Sequence, residues 1–235
     1  MAQSVGNAKN ILVGASPLFL SNIDINDSDY IANAEAGVAI ASGATTVGVP
    51  AFATGVSYAT TLNSVNQTAG LFGYRNVGFT NNGLQITYNP TYDSVTVDQL
   101  LDTAKLFKSA MEVMIATEMS EGTLENIVTV FGQQSDSLST TGTGTSKVDT
   151  LKIAAGSLGQ APTERQLIAV GQAPTAGATS AERVYYARRV LSVQQSQHSL
   201  ARTTPTTFPV TFRLLPDANY SGSEYGKIID RVLVA

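Results

Sequence analysis

Polar and apolar side chains alternate in three short stretches near the middle of the chain. The first covers residues 84–88, the second residues 95–97 and the third residues 111–119. A period of two is typical of β-strands that bury one face, because successive side chains point to opposite sides of a sheet. The pattern predicts three strands, whose inward-facing residues are Leu84, Ile86 and Tyr88, then Val95 and Val97, then Met111, Val113, Ile115 and Met119.

Two motifs mark the predicted ends of the first strand. Asn81-Asn82-Gly83 predicts a turn before it, because Asn and Gly tolerate positive φ. Pro90 predicts a break after it, because proline has no N–H to donate to a neighbouring strand. Residues 98–110 are ambiguous, since Leu100, Ala104 and Phe107 have a spacing that also suits a helix.

A short helix is predicted at about residues 121–131. Ser120 is a suitable N-cap, and Gly132 stands where many helices end. Between them, apolar residues recur at i, i+3, i+4 and i+7, which forms one apolar stripe. The stripe consists of Leu124, Ile127, Val128 and Phe131. We expect Leu124, Ile127 and Phe131 to pack against a sheet.

The second half of the chain predicts further strands at residues 151–155, 166–170, 183–193, 210–214 and 227–234, with prolines between them or at their ends. Many short strands separated by turn residues are typical of a sandwich or barrel. Residues 135–146 are polar and of low complexity, which predicts a flexible loop over residues 133–147. We therefore predict one domain over residues 1–235: mainly β, an antiparallel β-sandwich or barrel with one short packed α-helix.

Composition narrows the function classes. Charged residues make up 14% of the chain and hydrophobic residues 43%, which suits a subunit covered by neighbours as well as a packed monomer. The chain has no cysteine, which excludes disulfides, thiolate metal sites and thiol catalysis. No basic leader followed by an apolar segment is present, and no apolar run approaches the length of a membrane span. We expect a soluble protein without a membrane partner.

Charge is unevenly distributed along the sequence. Residues 1–150 carry 5 Lys and Arg against 13 Asp and Glu, whereas residues 151–235 carry 9 against 5. This profile lacks the basic stripe of a nucleic-acid-binding domain. It suits head-to-tail stacking, in which the basic part of one subunit meets the acidic part of another, although linear segments need not form spatial faces.

No set of residues predicts catalysis. The single histidine, His198, lies in a polar stretch far from any carboxylate in the sequence, and no G-x-S-x-G motif supplies a nucleophile. Two carboxylate pairs have the residue types of a glycosidase, but the chain has no Trp for a sugar platform. These pairs are Glu112 with Glu118 and Glu121 with Glu125. Arg188-Arg189 indicates an ion-paired surface feature. We predict a protein that is not an enzyme.

One acidic segment resembles a calcium loop in part. Asp24, Asn26 and Asp27 begin it and Glu35 occupies the twelfth position, but the sixth is Asp29 where the EF-hand requires Gly. A solvated acidic loop is the better interpretation. The sequence therefore predicts neither a metal nor any other cofactor.

An ordered series of motifs resembles bacteriophage tail tube proteins, also called major tail proteins. The central motifs are Arg75-Asn76-Val77-Gly78 with Phe79-Thr80, Asn82-Gly83-Leu84-Gln85-Ile86, Val95-Thr96-Val97-Asp98-Gln99 and Glu121-Gly122-Thr123-Leu124-Glu125-Asn126. Residues 11–20 are similar to the opening strand of that family, and residues 209–217 and 225–230 to its closing strands. The match covers about half of the chain, and residues 23–72 and 133–147 depart from it as apparent insertions.

The resemblance implies a structural role. Subunits of that family form hexameric rings that stack into a hollow tube, and strands of each subunit contribute to a continuous inner barrel. The implied partners are further copies of the chain, the tape-measure protein, tail terminator and baseplate or tail-tip proteins, and a sheath protein if the tail contracts. The tube passes DNA without binding it specifically. The implied location is the virion tail, assembled in the bacterial host cytoplasm, and the family pattern favours an extended link over residues 98–110.

Within such a tube, the alternation leads to a prediction for the channel wall. If the valines and Met111 face the core, then Thr96, Asp98, Glu112 and Glu118 share the opposite face. We expect that face to line the channel, where carboxylates repel phosphates over about 8–10 Å. The alternative is that these side chains lie outside or in subunit contacts. A different class of function, a carbohydrate-binding or adhesin-like β domain, would explain the Ser-, Thr- and Gly-rich loops equally well.

Overall fold

A computed structural model describes residues 16–21, 56–60, 62, 74–99, 102–133, 137–155, 158–159, 162–174, 180–194, 196–198, 200, 202–203, 205–218 and 220–233. The described residues are mainly β and their strands are antiparallel, which confirms the predicted fold class. The acidic segment at residues 24–35 and the apparent insertion at 23–72 lie largely or wholly outside the described residues.

Ten strands and one helix are named here in chain order. They are β1 (Leu18–Ser21), β2 (Tyr74–Asn76), β3 (Thr80–Thr96), β4 (Thr103–Met119), α1 (Leu124–Val130), β5 (Leu138–Thr141), β6 (Val148–Leu151), β7 (Arg165–Gln172), β8 (Ser180–Ser192), β9 (Phe208–Leu214) and β10 (Gly226–Leu233). Residues 58–60 are also helical.

Eight of these strands form one sheet in which β8 is a branch point. The sheet order is β2-β1-β7-β8-β9-β4-β3, and β10 also pairs with β8. Along one side of β8, residues 180–187 pair with β10 and residues 190–192 pair with β9. The two branches pack in a sandwich-like arrangement over a shared core, and the described strands form no closed barrel.

The core consists of two apolar clusters on opposite faces of β1, β7 and β8. The larger cluster joins Leu18, Leu20 and Leu167 to side chains of β4 and β9, including Ile115 and Phe212. The smaller cluster lies behind the sheet, where Tyr58 and Leu62 cover residues that include Phe19, Ile168 and Val184. Both faces of β1 are therefore buried, which explains why its sequence is apolar without alternation.

The β3–β4 hairpin extends well beyond this core. Each strand has 17 residues, but alternate buried positions occur only at residues 113–119 of β4. Residues 88–112, which we call the arm, are almost all exposed where described. Val95 and Val97, predicted to face the core, lie in the arm and are exposed.

Two local predictions for this hairpin need correction. Pro90 does not end the first strand, because it pairs with Met111 within a continuous β3. β3 is the last strand of the sheet, where a proline can turn its missing N–H away from the neighbour. Asn82 and Gly83 have φ values of 61° and 68°, as their residue types suggest, but they form a bulge within the strand rather than a turn.

α1 begins later than predicted. Its N-cap is Thr123, whose hydroxyl oxygen accepts a hydrogen bond from the Asn126 N–H at 3.3 Å, so Ser120 is not the cap. Gly132 follows the helix with φ 65°, the left-handed conformation expected at that position.

The predicted packing of α1 is confirmed for Ile127, which is half-buried against the larger core cluster. It is wrong for Phe131, which is exposed, and Leu124 is half-buried outside that cluster. The buried residues of the helix are Asn126, Val128, Thr129 and Val130. Two of these four are polar, and they are buried because Asn126 and Thr129 hydrogen-bond to Arg75 on β2. An apolar stripe could not reveal a buried face of this composition.

The low-complexity segment is ordered where it is described. β5 and β6 pair as a separate two-stranded sheet, joined through a 3-10 turn at Gly144–Ser146. The predicted flexible loop over residues 133–147 is therefore a β-hairpin in its described part, although most of its residues are exposed. The predicted strand at residues 151–155 instead ends at Leu151.

Candidate assembly surface

Three strands of the eight-stranded sheet leave one edge without a described neighbour. β2 and β3 end the sheet order, and β10 pairs only with β8 among the described strands. An open edge presents N–H and C=O groups that are available to another chain. Of the three, β3 is by far the longest, and its open edge continues along the whole arm.

A bulge in β4 decides which side chains share a face of the arm. Thr91 pairs with Ala110 but Tyr92 pairs with Lys108, so β4 contains one extra residue at this point. Directly paired residues of antiparallel strands point to the same side. The bulge therefore places Leu106 on the same face as Tyr88, Tyr92 and Lys108, the face that continues from the core.

The arm exposes more apolar surface than a solvated hairpin needs. Tyr88 is 63% exposed, Tyr92 57% and Leu106 64%, and all three lie on one face. The ammonium of Lys108 lies 5.7 Å from the centre of the Tyr88 ring, which is a cation–π distance. The opposite face carries Phe107, which is also exposed. A continuous exposed apolar surface of this kind is typical of a contact with another molecule.

The four residues predicted to line a channel do not form one group. Thr96 and Asp98 are exposed near the tip of the arm, whereas Glu112 and Glu118 are half-buried nearer the core. Strand pairing puts Glu112 and Glu118 opposite to the core face, but Thr96 continues the series of Tyr88 and Tyr92 on the core face. The prediction of one shared face is therefore wrong. The reason is that β3 continues through Pro90, so that unbroken alternation from Tyr88 puts Thr96, and not Val95, on the core face.

The two glutamates have partners within the same chain. Glu112 forms an ion pair with Arg213 of β9, with 3.7 Å between the charged atoms. Glu118 accepts a long hydrogen bond of 3.4 Å from Asn81. Both lie on the outer face of the β9-β4-β3 branch. Whether that face lines a channel stays a prediction.

The loop between β2 and β3 holds an exposed aromatic residue, Phe79, on a braced backbone. Phe79 is 80% exposed. Its N–H donates to the Glu121 carboxylate at 2.9 Å, and its carbonyl accepts from the Ser120 N–H at 2.9 Å. Gly78 has φ +82°, and a Cβ there would lie 2.0 Å from the Glu121 carboxyl carbon. Glycine is therefore needed both for the conformation and for the space that Glu121 occupies.

The start of α1 supports the same loop. The Asn126 side-chain amide donates to the Val77 carbonyl at 2.9 Å and to the Glu121 carbonyl at 2.8 Å. Asn126 is buried and also accepts from Arg75. Burial, and then the nearby positive charge of Arg165, lower the pKa of Arg75 to about 10, so Arg75 remains charged at neutral pH. From the sequence, Glu121 is considered as part of a carboxylate pair. In the structure its carboxylate accepts a hydrogen bond from the backbone N–H of Phe79.

An open groove lies at the other end of α1. It has a volume of about 580 Å³ and is lined mainly by Val130, Phe131, Gln133, Ile153, Ser192 and Val193. The Phe131 and His198 ring centres are 6.4 Å apart, and those of His198 and Phe208 are 4.9 Å apart. His198 therefore lies between the exposed ring of Phe131 and the buried ring of Phe208, and belongs to no described catalytic triad.

The opposite branch of the sheet is held by buried and surface ion pairs. Glu182 is buried, and its carboxylate accepts from the Tyr58 N–H at 2.9 Å and from Arg231 at 2.9 Å. On the surface, Asp230 accepts two hydrogen bonds from Arg183, which lower the pKa of Asp230. These contacts fasten β10 and the segment at residue 58 to β8.

The two adjacent arginines have different surroundings. Arg189 forms a bidentate ion pair with Glu164, which raises the pKa of Arg189 and agrees with the predicted surface ion pair. Arg188, in contrast, is buried, and its guanidinium carbon lies 3.5 Å from the centre of the Tyr220 ring. The prediction of a surface pair is therefore wrong for Arg188.

The described part of the chain contains no cluster of three or more His, Cys, Asp or Glu residues placed to hold a metal ion. Among its helices, none is long and apolar enough to cross a membrane. Phe79 belongs to the motif series that resembles tail tube proteins, but the sequence assigns it no role of its own, because a single Phe after Gly has no periodicity. Comparison with known proteins finds no matching family model and no significant match among curated proteins.

Proposed function

We propose that this chain is the structural subunit of a bacteriophage tail tube, which assembles into stacked hexameric rings around a hollow channel. The observation that carries the proposal is the arm: a two-stranded extension with an open edge and exposed Tyr88, Tyr92 and Leu106. The ordered motifs that resemble tail tube proteins support the same role. In this role no residue performs chemistry, and the protein needs no cofactor.

The physical argument starts from the cost of exposure. The three apolar side chains named above remain more than half exposed, and the open edge of β3 has no described neighbour in the same chain. Pairing with a neighbour would satisfy the backbone groups of the edge and remove apolar surface from water at about 25 cal/mol per Å². If each arm joins the next subunit around a ring, strands from successive subunits form a continuous sheet that closes on itself. Such closure leaves no free edge for uncontrolled pairing.

In this proposal the channel accommodates the tape-measure protein during assembly and DNA during ejection, with terminator, baseplate or tail-tip proteins at the ends of the tube. A sheath would surround it if the tail contracts. The acidic outer face near Glu118 would favour passage of phosphates over their retention.

Negative-stain electron microscopy of the purified protein tests the proposal. We expect hollow tubes or rings with six-fold end views. A matched control replaces residues 91–110 with Asn-Gly, which joins the paired residues Pro90 and Met111 by a two-residue turn. The control should keep the core and remain unassembled. Discrete monomers or trimers of the unmodified chain at high concentration would contradict the proposal.

The second candidate is a carbohydrate-binding or adhesin-like domain. The exposure of Tyr88 and Tyr92 on one face of the arm favours it, because aromatic rings offer apolar faces on which sugar rings can lie. Glycan-array binding by unassembled protein, lost in Tyr92→Ala, would support this candidate over the tube.

A further inference from the structure

We infer that Phe79 is an anchor residue that inserts into the groove at the C-terminal end of α1 on a second copy of this chain. The inference rests on the proposed function in that it takes another copy as the partner. It assigns an intermolecular contact to a side chain that lies outside the arm. This side chain stands in the loop between β2 and β3, next to the residues that connect β4 to α1.

The first argument is preorganisation. Phe79 is exposed, yet both its backbone N–H and its carbonyl are bonded within the subunit, to Glu121 and Ser120. Gly78 is bonded as well, through its N–H to the Asn76 side chain at 2.9 Å. A side chain held on a fixed backbone loses little conformational freedom when it binds, which is the property of the aromatic residues that dominate interface energies.

The second argument is the fit between anchor and groove. The groove is open to solvent, and its volume of about 580 Å³ leaves room for a phenyl ring. Four apolar side chains line it, those of Val130, Phe131, Ile153 and Val193, together with the neutral polar side chains of Gln133, Ser192, Gln194 and Ser196, and no charged residue is among them. The ring of Phe131 is exposed at its rim, so that an incoming aromatic ring can pack against it edge to face.

The third argument is charge complementarity. The segment around Phe79 carries the carboxylates of Glu118, Glu121 and Glu125, while its cation, Arg75, is turned towards α1. Next to the groove, Lys152 is exposed and precedes Ile153. Opposite charges at the rims of two surfaces guide their approach and select the partner.

The fourth argument is the placement of the two features. Phe79 is bonded to the residues that precede α1, and the groove includes the residue that follows it. A seven-residue helix separates them by about 10 Å of axial rise. One subunit can therefore donate its anchor to one neighbour and receive an anchor from another. A head-to-tail contact of this kind repeats into rings or filaments rather than stopping at a dimer.

The test combines substitution with cross-linking on the full chain. Phe79→Ala and Ile153→Ala should each raise the concentration needed for self-association about 30-fold, the size expected for an anchor residue. The double variant should add little to either single change, because both remove the same contact. Leu200→Ala is the control: Leu200 is 88% exposed but lies outside the loop and the groove, and its change should leave association unaltered.

Phe79→p-benzoylphenylalanine gives the direct readout, since irradiation should cross-link position 79 to peptides containing residues 130–133, 153 or 192–193 of another copy. Thermal melting of unassembled Phe79→Ala should match that of the unmodified chain. Normal association of Phe79→Ala, a changed melting temperature, or cross-links to other peptides would each overturn the inference.

If tubes form without these cross-links, the inference fails while the proposed function stands. If the cross-links occur in closed oligomers that never form tubes, the proposed function fails and the inference stands. A chain that stays monomeric at all concentrations overturns both.

Discussion

The two ends of the β3–β4 hairpin differ in environment although they share secondary structure and residue types. At one end, Val113 and Ile115 are buried in the main core. At the other end, Tyr92 and Leu106 occupy equivalent inward positions and are exposed. Alternation describes both ends equally well because it reports only that one face is apolar. Whether that face meets its own subunit or another molecule depends on how far the packed strands of β7, β8 and β9 extend beneath it.

The largest expected effect separates these two ends directly. Ile115→Ala should lower the free energy of unfolding by about 2–5 kcal/mol, because it leaves a cavity in a side-chain cluster that is fully packed. Leu106→Ala should change it by less than about 0.5 kcal/mol, because the side chain is already in water. Urea denaturation of both variants under non-assembling conditions provides the measurement. A loss of more than about 1.5 kcal/mol in Leu106→Ala would mean that the arm folds back on its own subunit.

A second contrast lies within α1. Val128→Ala should cost about 1–3 kcal/mol, since Val128 is buried but loses fewer methyl groups than Ile115 would. Leu124→Ala should cost less than about 1 kcal/mol, since Leu124 is half-buried. Equal losses from both variants, measured by thermal melting, would mean that Leu124 is packed as fully as Val128.

Removing the low-complexity hairpin of β5 and β6 should change the stability of the chain less than the substitutions in the core. Replacing residues 135–146 with a short Gly-Ser link should leave the stability of the unassembled subunit within about 1 kcal/mol, because the hairpin is largely exposed and loop closure depends weakly on length. Calorimetry of the shortened chain checks this. Sedimentation of the same sample shows separately whether the hairpin matters for assembly. A fall in the unfolding temperature of more than about 4 °C would place it among the packed elements instead.

The smallest expected effect concerns the surface pair of β8 and β10. The Arg183 guanidinium lowers the pKa of Asp230 below its ordinary value of 3.8. The pair therefore stabilises the folded state above about pH 4, and this contribution disappears as the pH falls through the lowered pKa. Since both groups are partly exposed, we expect about 0.2–1 kcal/mol. Denaturation midpoints of Asp230→Asn should differ from those of the unmodified chain at neutral pH, and the difference should shrink as the pH falls below 3.8 and the carboxylate is protonated. A difference that does not shrink on acidification would rule out the ion pair as its origin.

The sequence was most informative where burial and periodicity agree. β7, β8, β9 and β10 lie within a few residues of their predicted positions, because each has apolar residues at strand spacing between turn signals. It was least informative at Pro90 and in the β4 bulge. Whether a strand continues through these positions, and which face its side chains take, depends on pairing with a neighbouring strand, which no local pattern describes. Phe79 illustrates the same limit. Its exposure follows from hydrogen bonds to Glu121 and Ser120, about 40 residues later in the chain, and local propensity carries no trace of them.

The position of β1 has a consequence for synthesis of the chain. β1 lies between β2 and β7, and all four of its residues are buried. β2 leaves the ribosome soon after β1, but β7 ends only at Gln172. At about 5–20 residues per second, the roughly 100 residues from the end of β2 to the end of β7 take about 5–20 s to translate. During that time one side of an apolar strand has no native neighbour. In crowded polysomes, where many identical nascent chains are close together, that interval is when a chaperone bound near the N-terminus would contribute most to the yield of assembly-competent protein.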